Sequence, residues 1–366
     1  MEIKHSAKTT VSSPQAPENT IQATKGLSAS SVRIWRFVQV AVWLIGIAIL
    51  AALLLYPTIG IHAFWNVLIP IAPALLAIAP GLWRNVCPLG STALFPRHLG
   101  FSRQIQLSNI WQGWLGLIGV SLLLLIVPLR HVILNTNGLA TAITIICLAA
   151  VAVCVGLLFE WKSGWCSGLC PVHPVEKLYG FKPVLNIPNA HCDLCRQCVA
   201  PCPDSMRNIQ SNYIKKSNLH MVSSYLIVGG FPGFIWGWFH VRDYFGNDGW
   251  QHLLSVYAWP FAGFAVTLIL YVVLKQLLPS SRDILLNAIF AAAAISCYYW
   301  FRVPALVGFG PFPGDGMLVD LSKVLPTWTP VAFQIITTSF FVWWLILRNK
   351  VARTWLVRPP YFKPAL

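Results

Sequence analysis

Apolar positions along this chain do not alternate with polar ones. They form eight runs of about 20 residues, at roughly 34–57, 64–82, 108–128, 139–160, 222–241, 255–278, 284–301 and 328–348. Each is long enough, or nearly so, to cross a hydrocarbon core as a helix, which takes about 20 residues. The second run carries Pro70, Pro73 and Pro80, and the fifth carries Gly229, Gly230, Pro232 and Gly233. Both residue types are tolerated inside membrane helices, so both runs stand as spans.

The runs divide the chain into five parts: a Ser/Thr/Pro/Ala-rich tail at 1–32, a four-helix membrane module at 33–160, a polar insert at 161–221, a second four-helix module at 222–348, and a tail at 349–366. The first apolar run is too long for a signal-peptide core and reads as an uncleaved anchor. The tail before it has the composition of a disordered segment. The expected fold is therefore an all-α polytopic membrane protein with about eight transmembrane helices and a small ferredoxin-like insert.

Composition agrees: 56% of residues are hydrophobic, only 10% are charged, and the mean hydropathy is +0.64. Charge supplies an orientation. With eight spans, 22 of the 26 Lys and Arg residues fall on one side and only Arg130, Arg242, Arg302 and Lys323 on the other. The positive-inside rule makes the first side cytoplasmic, with both termini and the insert there, as in a multi-pass protein of the bacterial inner membrane. Anionic lipid headgroups beside the helix ends account for the net charge of +15, so the charge does not call for a nucleic-acid partner.

The insert holds six of the ten cysteines, and a seventh, Cys87, lies in the loop between spans two and three on the same side. A cytoplasmic face is reducing, so clustered thiols there point to metal rather than disulfides. Cys192, Cys195, Cys198 and Cys202, followed by Pro203, follow the C-x2-C-x2-C-x3-C-P spacing of bacterial iron-sulfur proteins. Zinc sites more often use two separated C-x2-C pairs. Upstream, Cys166 and Cys170-Pro171 repeat the C-x3-C-P half of that motif.

In two-cluster ferredoxins the cysteine before proline serves the other cluster. On that rule Cys192, Cys195 and Cys198 share a 4Fe-4S cluster with Cys170. Cys202, Cys166 and Cys87 are then left as three ligands of a second site. Its fourth position is open to His173, His191, His98 or water, and the alternatives are a three-iron cluster or no second site. Cys147, Cys154 and Cys297 lie within spans and read as small apolar side chains.

Three stretches in order, RNVCPLG after span two, GWCSGLCPV with LYG after span four, and the run beginning at Cys192, resemble the NapH/NosR-type family of polytopic membrane iron-sulfur proteins. The resemblance covers about residues 34–205. It implies electron transfer in which quinol is oxidised at the membrane, clusters on the cytoplasmic side relay electrons, and another redox subunit receives them. Related members act as assembly factors for metalloenzymes, and that alternative stays open. The chain departs from the family's nitrate-reductase subunit in having Trp83 where a leading cysteine stands, one complete ferredoxin motif instead of two, and four further spans.

Outside the cysteines, Glu160 at the end of span four is a candidate proton acceptor beside a redox site. His62, His131, His240 and His252 fall near span ends on the less basic side. His240 and His252 are candidate quinone contacts, since histidine titrates near neutral pH. Haem is not expected, because interfacial His and Trp are common without a cofactor. The Gly/Pro-rich stretch VGFGPFPGDGMLVDLSK, with Asp315 and Asp320, reads as a connector or a cap.

Overall fold

The computed structural model describes residues 27–160, 162–184, 187–192 and 218–348. Cys195, Cys198 and Cys202, most of the ferredoxin-type run, lie outside the described residues, as do residues 1–26 and 349–366. The described residues are helical, with one isolated parallel bridge, Ile105 to Phe159.

Eight helices are long and apolar enough to cross a membrane: Ala29–Leu55, Pro57–Ile78, Ile110–Leu134, Gly138–Leu158, Asn218–Trp238, Leu253–Leu277, Ser280–Leu306 and Thr329–Leu347. They are spans one to eight, and each falls on one of the eight apolar runs. Local chemistry sets their starts. The hydroxyls of Ser28 and Ser108 and the amide oxygen of Asn137 cap spans one, three and four by accepting from the backbone N–H three residues on. Pro57 occupies the first turn of span two, where its missing N–H costs nothing.

Span five explains its own glycines. Gly229, Gly233 and Gly237 are spaced four apart and lie against span six. A Cβ on Gly233 would meet the Gly263 carbonyl oxygen at 1.9 Å, and one on Gly263 would meet the Gly233 oxygen at 2.2 Å. The two backbones touch, which is what small residues at i and i+4 permit between membrane helices. Phe264 and Tyr271 then fill the space over Gly230 and Gly229.

The segment between spans two and three is not an open loop. Pro80 and Pro88 each start a short helix, Pro80–Val86 and Pro88–His98. The second helix lies in a groove between spans one and four: Gly46 packs on Pro88, Trp43 donates to the Thr92 hydroxyl at 3.2 Å, and a Cβ on Gly156 would meet the Ala93 oxygen at 2.0 Å. Residues 103–105 then pair with the end of span four, Arg103 N–H to Leu157 O at 2.8 Å and Ile105 N–H to Leu158 O at 3.0 Å.

The insert also begins inside the bundle. A π-helical turn, Lys162–Leu169, presses its last carbonyls against Gly119 of span three. Gly119 is nine residues along that span from Ile110, about 14 Å at 1.5 Å per residue. Helix His173–Tyr179 follows, and its Val175, Leu178 and Tyr179 join the main core with Leu76, Ile227 and Ile295. The break between these two helices, at Cys170–Val172, is backbone of the kind that is stable among membrane spans only where protein covers it.

Candidate functional site

Two polar constellations sit in this bundle, one toward each end of the spans. The first holds cysteines. Cys87 is the junction between helices Pro80–Val86 and Pro88–His98, and Cys166 lies within the π-helical turn, with Cys170 just after it. Cys166 and Cys170 pack with Leu89, Trp165 and Val155 in one small apolar cluster. Burial pushes the Cys170 thiol up to about 12, and the neighbouring Cys87 pushes it the same way. Cys87 and Cys170, 83 positions apart in sequence, are thus brought within electrostatic reach of each other. Cys192 is half-buried at the end of the described stretch, its N–H bonded to Asn189 O at 3.0 Å.

That geometry depends on a frame of buried polar groups. The Arg84 guanidinium pairs with the Glu176 carboxylate, both side chains being almost fully buried. Arg84 stands three residues before Cys87 and Glu176 six after Cys170. Asn85 donates to Gly81 O at 2.9 Å and Pro188 O at 3.0 Å and accepts from Ala190 N–H at 2.8 Å. The segment leading to His191 and Cys192 is thereby held on helix Pro80–Val86. His191 and His173 are both buried close to this frame.

Among the described residues, no three His, Cys, Asp or Glu side chains converge where a metal ion could sit. Two or more thiols are enclosed by Trp165, Leu89 and Val155, and in the metal-free state burial keeps Cys170 protonated; a cation is what would hold it as thiolate. Glu160 is buried rather than a solvated helix end, and its carboxylate accepts from Arg97 Nη1 at 3.1 Å. Burial nonetheless raises its proton affinity, which Arg97 only partly offsets.

The second constellation lies at the opposite end, and its members come from spans two, three, five and seven and two loops. A π-helical turn at Arg130–Leu134 turns both Arg130 and His131 inward. His131 Nε2 bonds to Trp238 O at 3.0 Å and Nδ1 to the Asp243 carboxylate at 2.6 Å. Asn135 Nδ2 donates to the same Asp243 oxygen at 2.7 Å. Burial alone would raise the Asp243 carboxyl, but His131, Asn135 and Arg130 outweigh it and hold it below the usual carboxylate range.

Arg130 lies over the rings of Trp65 and Trp238, at 4.1 and 4.7 Å from their centroids. Arg302 of span seven donates to Trp65 O at 2.7 Å and Asn66 Oδ1 at 2.6 Å. His62 joins through Asn66, at 2.8 Å. In the sequence Arg130 and Arg302 stood as two charges on the sparsely charged side; the structure buries both, to 5% and 4% exposure.

His240 and His252, the two candidate quinone contacts, have separate surroundings. The His240 ring lies tilted against Trp236, centroids 4.1 Å apart, with Nδ1 bonded to Trp236 O at 2.7 Å. His252 stacks on Tyr244 at 4.6 Å, at the start of span six. The histidine bound through both ring nitrogens at this end is His131, and its carboxylate partner is Asp243, 112 positions away.

The connector after span seven caps this end. Gly316, at φ +65°, lies so close to Arg302 that a Cβ there would sit 2.2 Å from Nη1. Asp315 Oδ2 accepts the Asp243 N–H at 2.7 Å. Burial, with the Asp243 charge, pushes Asp315 up to about 6 against that hydrogen bond, His131 and Arg242. A raised carboxyl stabilises the fold fully below the ordinary range near pH 4, and the gain is lost as pH rises through 6. Two pH units correspond to about 2.7 kcal/mol, and half-exposure discounts this to about 1 kcal/mol. Between pH 4 and 6 the wild-type Tm should therefore fall relative to that of Asp315→Asn; parallel melting curves across the window would refute the assignment.

Comparison of the chain with family models, with curated proteins and with solved structures gives no match.

Proposed function

We propose that this membrane protein is an iron-sulfur electron-transfer subunit, relaying electrons between the quinone pool and a partner redox protein at the basic end of its spans. One observation supports the reading above the others. Cys87 and Cys170, from separate stretches, lie within electrostatic reach of each other, and Asn85, two residues before Cys87, holds the segment that ends in Cys192, where the C-x2-C-x2-C-x3-C-P spacing begins in the sequence. Cys87, Cys166, Cys170, Cys192, Cys195, Cys198 and Cys202 are the ligand set from which one or two 4Fe-4S clusters would draw.

When bound, such a cluster supplies one-electron chemistry whose potential depends on burial and on hydrogen bonds to sulfur. The chain's own residues supply position and dielectric. Trp165, Leu89 and Val155 exclude water, the Arg84–Glu176 pair fixes the approach of the two cysteine-bearing segments, and Glu160 holds a proton-accepting carboxylate behind Arg97. Contact with Gly119 sets the π-helical turn about 14 Å along span three. That leaves roughly 16 Å of a core about 30 Å thick, a shorter path than one starting at the helix ends.

The test uses protein purified anaerobically in detergent. Addition of a reduced quinol should produce a reduced iron-sulfur EPR signal within seconds, with iron near four or near eight per chain. In Cys87→Ser the iron should fall from eight toward four if Cys87 serves a second site, and in Cys170→Ser the signal of the first should broaden or vanish. A protein that binds no iron removes the reading. A signal elicited by dithionite and never by quinol moves it to an assembly or scaffold subunit of a larger redox complex.

A further inference from the structure

Arg130 and Arg302 are two buried positive charges, and the carboxylate that acts on both, Asp243, also serves His131. The two guanidiniums are close enough to repel each other. Among the described residues neither has a carboxylate within ion-pair distance. The nearest, Asp243, gives the same oxygen to His131 and to Asn135. Asp315 faces the Asp243 backbone instead. Buried charge is ordinarily paired, because the desolvation of an uncompensated ion costs several kcal/mol.

Three donors close by are unspent or only partly used. Arg302 Nε is buried and makes no hydrogen bond, and so is the Tyr298 hydroxyl, one helical turn earlier on the same span. That hydroxyl is within electrostatic reach of both guanidiniums. Arg130 spends only Nε, on Asn135 at 3.0 Å, and its fork rests between the faces of Trp65 and Trp238. The Arg130 fork, Arg302 Nε and the Tyr298 hydroxyl offer separate donors to three oxygens, a set suited to a tetrahedral oxyanion carrying one or two charges. A neutral carbonyl would leave the positive charge uncompensated.

We infer that Arg130, Arg302 and Tyr298 form a binding site for one phosphate-type oxyanion, free or as the headgroup of a lipid, at the end of the bundle opposite the cysteines. The loop carrying Gly316 covers it, and Gly316 has no side chain because Arg302 Nη1 occupies that space. Spans two, three and seven, which supply Trp65, Arg130 and Arg302, are thus joined through the bound anion. This site does not depend on the reading of the cysteines.

The full chain, purified in a phosphorus-free detergent, decides it. Two results support the site and separate its sources. About one phospholipid phosphorus per chain that survives detergent washing identifies a lipid headgroup. A Tm that rises saturably with inorganic phosphate in delipidated protein, at fixed ionic strength against chloride, identifies free anion. Arg130→Gln should weaken either signal at least tenfold and Tyr298→Phe about threefold or more. Tyr298→Phe removes only a hydroxyl without a partner, so it keeps the fold and decides the matter if Arg130→Gln does not assemble. The inference is overturned if wild-type protein neither retains phosphorus nor responds saturably to phosphate, or if Tyr298→Phe binds as wild type does. A saturable response to a neutral quinone analogue in place of phosphate overturns it too.

Discussion

Glu176→Ala should destabilise the protein by about 3–5 kcal/mol, the range for breaking a buried ion pair and leaving one charge behind. The group that loses this carboxylate is the Arg84 guanidinium, 7% exposed, on the short helix that delivers Cys87. The pair joins two segments 92 positions apart, and each of them carries a cysteine within six residues. Loss of the pair is therefore expected to lower Tm and, where iron is bound, to lower iron per chain in the same sample. The double variant Arg84→Met with Glu176→Leu removes both charges and replaces them with apolar volume. It should recover most of the stability, since a buried ion pair is often no better than well-packed apolar residues. If the single variant melts within about 1 kcal/mol of wild type, the pair does not hold the segments around Cys87 and Cys170 together.

The spans were legible because each is a local pattern. About 20 apolar residues in a row, with Ser28, Ser108 and Asn137 as caps and Pro57 in a first turn, need no information from elsewhere in the chain. Short amphipathic pieces were not legible in the same way. Helices Pro80–Val86 and Pro88–His98 carry Arg84, Arg97 and His98, which lower local hydropathy, so the stretch reads as a loop although Pro80 and Pro88 are helix-start signals. What sends the second helix between spans one and four is a pair of glycines, Gly46 and Gly156, that sit in other runs and leave it room.

The two polar constellations differ in the same respect. The C-x2-C-x2-C-x3-C-P spacing is a local pattern, whereas no spacing says that Cys87 comes within electrostatic reach of Cys170. His131 was visible as one of four histidines near span ends, but its role depends on Asp243 in a loop two spans later. Arg130 and Arg302 were visible as exceptions to a charge rule. Two charges on the sparsely charged side are cheap to maintain in solvent and costly when buried, so their burial marks a site. The sequence pattern separates them only by side of the membrane, whereas their burial is what sets them apart.

Gly233→Val should disrupt the second membrane module more than any substitution on its lipid-facing surface. The added Cβ alone would lie 1.9 Å from the Gly263 oxygen, and its neighbour there is backbone, which cannot rotate away. Thr267 Oγ1, 2.7 Å from the same Cβ, bonds to the Gly230 and Gly263 carbonyls and donates order to both helices. Spans five and six must then separate by an ångström or more, losing the packing of Phe264 on Phe234 and of Tyr271 on Tyr225. Overpacking in a tight interior costs about 1–3 kcal/mol, and the upper end or beyond is expected where backbone meets backbone. Because Val228, Ile227 and Phe234 of span five share one core with Tyr179 and Phe181, the separation should also loosen the segment that follows Cys170. The measurement is Tm in detergent together with the rate at which a thiol reagent labels Cys170 in metal-free protein. Faster labelling with lower Tm ties the two modules into one core. A lower Tm with unchanged labelling would make span five a clamp on span six alone, and the cysteine site independent of it.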